Sequence, residues 1–74
     1  MDNNKGIYKI GKVKEYDGFF GEIVTEDTLY YFTKDDIEDT IEENDVVKFQ
    51  GKTEEAFPQA YFVKKIALNR INNN

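Results

Sequence analysis

The chain contains neither cysteine nor histidine. Without cysteine it has no disulfide framework and no thiolate metal ligand, and without histidine it has no imidazole ligand. The usual pairs of a nucleophile with a histidine base are excluded for the same reason. We therefore predict that the protein has no catalytic residues, no metal site and no cofactor, and that it is not an enzyme.

Long apolar runs are also missing. No stretch approaches the ~20 apolar residues that a helix needs to cross a bilayer. Residues 1–5 lack the apolar core of a signal peptide. We expect no membrane partner and a cytoplasmic location.

With 74 residues, the chain has room for one small core and not for two. At this size, the burial of apolar surface only modestly exceeds the conformational entropy lost on folding. The prediction is a single domain at residues 1–68, followed by a polar, frayed C-terminal tail at residues 69–74.

Acidic residues outnumber basic ones, and the formal net charge is −5. The charges are unevenly distributed, since residues 15–45 hold twelve acidic residues and one lysine, whereas residues 1–14 and 46–74 are each net positive. A fold that brought the two terminal segments together would create a basic zone on an acidic molecule, and phosphate groups respond to the local potential. The alternative is that the charges only keep a small protein in solution.

Short stretches rich in β-branched and aromatic residues alternate with glycine, aspartate and asparagine, and no helical period extends along the chain. This pattern predicts five strands, at residues 7–16, 19–25, 28–33, 45–50 and 59–66. A tight turn at Asp17 and Gly18 joins the first two. Five short strands with one longer connector predict an all-β fold, a five-stranded antiparallel Greek-key barrel of the oligonucleotide-binding type (OB-fold). A small SH3-like barrel is the alternative.

The connector at residues 34–44 is polar, and its Ile37 and Ile41 are spaced as anchors under a loop. Its acidic run lacks the glycine and the ligand spacing of a calcium loop, so we interpret it as solvated surface. Phe57, which precedes the only proline, is expected to cap the end of the barrel. The predicted core consists of Val13, Ile23, Phe32, Ile37, Val47, Phe49, Ala60, Val63 and Ile66.

Four segments resemble those of a cold-shock domain, in the order of that family. They are residues 11–14 (GKVK, first strand), 18–23 (GFFGEI, first ribonucleoprotein motif), 30–37 (YYFTKDDI, second motif) and 58–60 (PQA, start of the fifth strand). The loop before the second strand and the connector before the fourth are shorter than is usual in the family. The resemblance implies an OB-fold whose aromatic sheet surface stacks the bases of single-stranded RNA or DNA.

Part of the aromatic surface that the family carries is kept in this sequence. The resemblance places Tyr16, Phe20 and Tyr31 at stacking positions, and the alignment of Gly21 predicts that Phe20 points outward while its neighbour Phe19 points inward. Lysines near these rings are candidates for phosphate contacts. The nucleic-acid-binding residues implied in this way are Lys12, Lys14, Tyr16, Phe20, Tyr31, Thr33 and Lys34.

Four positions depart from the family's pattern. Glu15 stands where tryptophan is usual and Glu22 where a second phenylalanine is expected, while Thr33 replaces a histidine and Lys34 an aromatic residue. Stacking is worth ~1–3 kcal/mol per base, so these losses are enough to turn nanomolar affinity into micromolar affinity. Thr33 and Lys34 restore part of the loss by hydrogen bonding and charge.

The predicted function is weak binding of single-stranded RNA or DNA, with low sequence specificity. The alternative is a protein-interaction module of the same fold, in which the acidic, ring-depleted face meets a protein partner. The sequence leaves open the choice between RNA and DNA and the oligomeric state.

Overall fold

The structure is a computed structural model that describes residues 8–52 and 57–66. All five predicted strands are confirmed, and their bounds lie within two residues of the predicted ones. The elements are β1 (Tyr8–Tyr16), β2 (Phe20–Val24), β3 (Leu29–Thr33), a short 3₁₀ helix (Lys34–Asp36), β4 (Val46–Lys52) and β5 (Gln59–Lys65). β4 is longer than predicted because Gly51 and Lys52 continue its pairing with β5. The predicted C-terminal tail lies outside the described residues.

The strands form a closed barrel in the order β1-β2-β3-β5-β4. β1, β2 and β3 are joined by hairpins, and β4 returns to pair with β1, which is the Greek-key arrangement. The predicted OB-type barrel is therefore confirmed and the SH3-like alternative is not adopted. One detail differs from the prediction, since β3 and β5 run parallel. Five strands in a closed ring cannot alternate in direction throughout, so one pair must be parallel.

The core lies inside the barrel and contains the inward-facing residues of all five strands. Its buried members are Val13, Ile23, Tyr30, Phe32, Ile41, Val47, Phe49, Ala60 and Val63. Two predicted members, Ile37 and Ile66, are only partly buried, because they lie in the segments that flank the strands. Tyr30 and Ile41 belong to the core instead. The ring of Tyr30 packs edge-on against Phe49, with 4.9 Å between the ring centroids.

Residues 8–52 and 57–66 include no helix with the length and apolar character that a membrane crossing requires. The same two ranges contain no group of three or more histidine, cysteine, aspartate or glutamate side chains placed to hold a metal ion.

Candidate nucleic-acid interface

The turn between β1 and β2 exposes two adjacent phenylalanine rings. One carboxylate oxygen of Asp17 accepts hydrogen bonds from the backbone N–H groups of Phe19 and Phe20, each at 2.9 Å, and Gly18 takes a positive φ of 100°. The bonds from Phe20 and then Phe19 lower the pKa of Asp17 below its ordinary value. Phe19 is 60% exposed and Phe20 66%. The predicted inward orientation of Phe19 is wrong, because β2 begins only at Phe20 and Phe19 still belongs to the turn.

Gly21 sets the orientation of β2. It is buried opposite Phe32, and a Cβ atom at this position would lie 2.3 Å from the Cζ atom of the Phe32 ring. Only glycine leaves room for that ring, so Gly21 must face the core. Since successive residues of a strand face opposite sides, Phe20 points outward, as the glycine alignment predicted.

Tyr31 and Phe57 extend the exposed rings across the sheet. Tyr31 faces outward on β3 and its ring meets that of Phe57 edge-on, with centroids 5.9 Å apart. These two rings and Gln59 line an open groove of about 410 Å³. Phe57 is 66% exposed, so the prediction that it caps the barrel end is wrong. We call the four rings of Phe19, Phe20, Tyr31 and Phe57 the aromatic surface.

Two carboxylates lie beside this surface. The outward-facing residues Glu15 and Glu22 are directly opposite each other on β1 and β2, and Glu22 is also opposite Tyr31 on β3. Like charges in directly opposed positions are destabilising. The ammonium group of Lys14, 3.9 Å from a carboxylate oxygen of Glu22, offsets part of this repulsion. The middle of the sheet is therefore acidic where the family's pattern has rings.

The three predicted lysines lie at different distances from the rings. The Lys34 backbone N–H donates to the carbonyl of Phe19 at 2.8 Å, and its ammonium group lies 5.9 Å from the centroid of that ring. Lys14 is exposed next to Glu22. Lys12 is also exposed, but it pairs with Val24 at the other end of β2, about 13 Å along the strand from Phe20.

Tyr16 faces the core side of the sheet. The register of β1 against β2 shifts between Val13 and Glu15, which leaves Lys14 as an extra residue in a β-bulge. After the bulge the alternation is reversed, so Glu15 faces outward and Tyr16 pairs with the buried Gly21. The Tyr16 ring stacks on the core ring of Phe32 at 5.3 Å between centroids, and Tyr16 is half-buried.

Thr33 is hydrogen-bonded within the fold. Its hydroxyl accepts from the backbone N–H of Asp35 at 3.2 Å and donates to the carboxylate of Asp36 at 3.1 Å. That carboxylate also accepts from the backbone N–H of Thr33 at 2.8 Å, which completes a capping box at the start of the 3₁₀ helix. The hydroxyl proton is therefore already used, and the oxygen keeps one lone pair that can accept a hydrogen bond from a ligand.

Comparison with known proteins yields a structural match. A solved structure described as Drosophila Unr CSD456 superimposes on this chain with a TM-score of 0.74, over 92% of this chain and 30% of that one. The fold is that of a cold-shock domain. The two sequences are 22% identical, so the likeness concerns the cold-shock fold alone, and this chain spans less than a third of the matched structure. No protein-family model and no curated protein matches the chain.

Proposed function

We propose that this chain binds single-stranded nucleic acid and that the bases stack on the aromatic surface. The observation that carries the proposal is the exposure of Phe20 and Tyr31 on the outer face of β2 and β3, with the exposed ring of Phe57 beside Tyr31 and that of Phe19 in the adjoining turn. Exposed apolar patches of this kind mark contact surfaces, and every base has a face that can stack on a ring. The cold-shock fold supports the same conclusion, since folds of this class bind oligonucleotides.

Binding through these rings is expected to be weak and to discriminate poorly between sequences. Stacking involves no hydrogen bonds to the base edges, so it tolerates any base and favours flexible pyrimidine-rich strands. Glu15 and Glu22 place negative charge in the middle of the sheet, close to the path of the phosphates. Tyr16 can offer only the part of its ring that Phe32 leaves uncovered.

Phosphate contacts fall to the lysines at the edges of the aromatic surface. Lys34 holds its ammonium group above the Phe19 ring, where it can meet a phosphate next to a stacked base. Lys14 is exposed, and its ammonium group lies 3.9 Å from a carboxylate oxygen of Glu22. Lys12 adds a further positive charge on β1. These three contacts are sensitive to salt, because each one releases counterions from the nucleic acid.

One observation favours a second candidate function, the recognition of a basic protein segment. Glu15, Asp17 and Glu43 line a depression of about 240 Å³ together with the rings of Tyr16 and Phe20. Carboxylates beside accessible parts of aromatic rings suit an arginine or lysine side chain, which pairs with the carboxylates and stacks on the rings. A ligand of this kind would compete with nucleic acid for Phe20.

The proposal is tested by replacing Phe20 with residues of similar size. We expect Phe20→Leu to weaken binding of an oligo-thymidine or oligo-uridine of about eight nucleotides by about tenfold, since leucine keeps the apolar bulk but removes the stacking face. Phe20→Tyr should keep the affinity near that of the original chain. Isothermal titration calorimetry at low salt measures all three affinities.

As a control, amide NMR spectra of each variant show whether it keeps the fold. A folded Phe20→Leu variant that binds as tightly as Phe20→Tyr contradicts stacking at this ring. If the original chain binds no oligonucleotide but binds an arginine-rich peptide through the same residues, the protein-binding candidate replaces the nucleic-acid one.

A further inference from the structure

A second exposed face lies on β1, β4 and β5, and its residues are aligned by the pairing of these strands. One row across the strands consists of Ile10, Lys48 and Lys64, and the next of Tyr8, Gln50 and Tyr61. Tyr8 and Ile10 are exposed, and the ammonium group of Lys48 lies 5.0 Å from the centroid of the Tyr8 ring.

A bulge in β5 adds a further ring to this face. Two steps along β4, from Lys48 to Gln50, correspond to three steps along β5, from Lys64 to Tyr61, so β5 contains one extra residue. Phe62, within the bulge, has a φ of 56° and is 51% exposed. Bulky residues rarely adopt this left-handed conformation, and strain of this kind clusters at functional positions. We call Tyr8, Ile10, Lys48, Phe62 and Lys64 the basic face.

The charge of this face is opposite to that of the whole molecule. Residues 8–14, β4 and β5 contain several lysines and no aspartate or glutamate, although the net charge of the chain is −5. The pairing of β1 with β4, and of β4 with β5, brings the two basic segments of the sequence together. A neighbouring carboxylate, that of Glu38, lies 3.9 Å from the ammonium group of Lys64. Both groups are substantially exposed, and such surface pairs hold the side chains only weakly.

We propose that the basic face is a second contact surface for single-stranded nucleic acid, which binds phosphates through Lys48 and Lys64 and stacks bases on Tyr8 and Phe62. The choice of nucleic acid as the ligand rests on the proposed function. The existence of the exposed basic face follows from the strand pairing and does not depend on that proposal. An acidic protein segment would satisfy the lysines alone. A nucleic-acid strand satisfies both the lysines and the rings, since cationic side chains with interleaved aromatic rings are the features of single-strand binding surfaces.

The two surfaces are connected along β1. Residues Tyr8–Lys12 of this strand pair with β4, and residues Lys12–Tyr16 pair with β2. Lys12 has a partner on each side, Val24 and Val46, and its side chain is exposed. A nucleic-acid strand that leaves the aromatic surface and follows β1 therefore reaches Lys12 first and the basic face next. This gives the predicted Lys12 contact a specific role, at the point where the two surfaces meet.

The experiment compares two double charge reversals that change the net charge equally. Lys48→Glu with Lys64→Glu alters the basic face, whereas Lys14→Glu with Lys34→Glu alters the edge of the aromatic surface. Each variant is prepared as the folded 74-residue chain and titrated with an oligo-thymidine of about 20 nucleotides, and binding is followed by amide NMR shifts. Long-range repulsion affects both variants alike, so any difference between them reports local contacts.

We expect the original chain to show saturable shifts on both surfaces. Lys48→Glu with Lys64→Glu should abolish the shifts at residues 48–50 and 61–64 while those at residues 19–22 and 31–34 remain. The slope of log affinity against log salt should become less steep by about 1.4, for two lost phosphate contacts. Phe62→Gly should also reduce the shifts on the basic face, because it removes a stacking ring. It leaves the charge unchanged, so the reduction cannot come from electrostatics.

Four results overturn the proposal. If the shifts are confined to the aromatic surface, the basic face does not bind nucleic acid, although the proposed function stands. If oligo-glutamate of similar length shifts the basic face as strongly as the oligonucleotide does, its partner is an acidic protein segment. If those shifts appear on concentrating the protein alone, the partner is a second copy of the chain. If neither surface shows shifts, the proposed function is contradicted as well.

Discussion

Phe62 holds a left-handed backbone conformation that glycine adopts without strain. Its ring is half-exposed, so burial of the ring contributes less to stability than it would in the core. The comparison that isolates this cost is between Phe62→Gly and Phe62→Ala, because both remove the ring but only alanine keeps the Cβ atom.

We expect Phe62→Gly to be more stable than Phe62→Ala by about 1 kcal/mol, as measured by urea unfolding. Equal stability of the two variants would show that the backbone at this position is unstrained. If Phe62→Gly also exceeds the original chain in stability while binding less nucleic acid, the ring has been kept for binding, in line with the usual conflict between stability and function.

The orientation of some residues of the aromatic surface could be predicted from the sequence, and that of others could not. The outward orientation of Phe20 was predicted from the glycine alignment with the family. The structure gives its physical reason, since Gly21 faces the Phe32 ring and alternation then places its neighbour. Phe19 and Phe57 were missed because they lie in a turn and a loop, where side chains follow no period. One feature of the sequence could have indicated their exposure. Each is a large apolar residue in a turn or loop, next to Gly18 or Pro58.

Among the elements, the β1–β2 turn depends on one carboxylate. Asp17 accepts two backbone hydrogen bonds, from Phe19 and Phe20, and its lowered pKa means that the folded state favours the charged form. Its contribution to stability is therefore complete above the ordinary carboxyl pKa and is lost as the pH falls through the lowered one. Asparagine keeps the accepting oxygen but cannot titrate, whereas alanine removes the acceptor.

We expect Asp17→Ala to lower the melting temperature at every pH. Asp17→Asn should show a flatter decline in melting temperature than the original chain as the pH falls into the acidic range. The measurement is thermal unfolding, followed by circular dichroism, over a series of pH values. Parallel curves for Asp17→Asn and the original chain would mean that other carboxylates account for the acid sensitivity.

The β1 strand shows how one element can change the chemistry of a surface. Uninterrupted alternation from the buried Val13 would turn Glu15 inward and Tyr16 outward. The bulge at Lys14 reverses this, so the carboxylate reaches solvent and the ring packs on Phe32. The bulge avoids a buried charge, which would be far costlier than a buried tyrosine ring. A family resemblance read position by position does not indicate how much of the Tyr16 ring stays accessible.

At the scale of the whole molecule, the distribution of charge matters more than its sum. A net charge of −5 opposes a polyanion at long range, yet lysines lie at the edge of the aromatic surface and on the basic face. Within a Debye length, the local charges dominate the potential that a phosphate meets. The acidic residues of the 34–45 connector lie outside β4 and β5 in the chain. Two of them, Glu38 and Asp45, reach the lysines of β5, at 3.9 Å from Lys64 and 3.7 Å from Lys65.

We therefore expect a clear salt dependence despite the acidic net charge. If Lys12, Lys14 and Lys34 each contact one phosphate of a short oligo-pyrimidine, the slope of log affinity against log salt should be about −2. Fluorescence anisotropy at several salt concentrations provides the slope. A slope near zero would show that the bases stack without phosphate contacts, and a positive slope would show that repulsion by the acidic residues dominates.

Local patterns in the chain were enough to predict the five strands, the Asp17–Gly18 turn, the barrel type and most of the core. Each of these follows from short-range alternation and turn chemistry, which neighbouring residues carry. The accessible surfaces depended on long-range pairing. The bulges at Lys14 and Phe62 arise where one strand has one more residue than its partner between two consecutive pairs. The basic face exists because the barrel closes β4 between β1 and β5, and the partners in this pairing lie far apart in the chain.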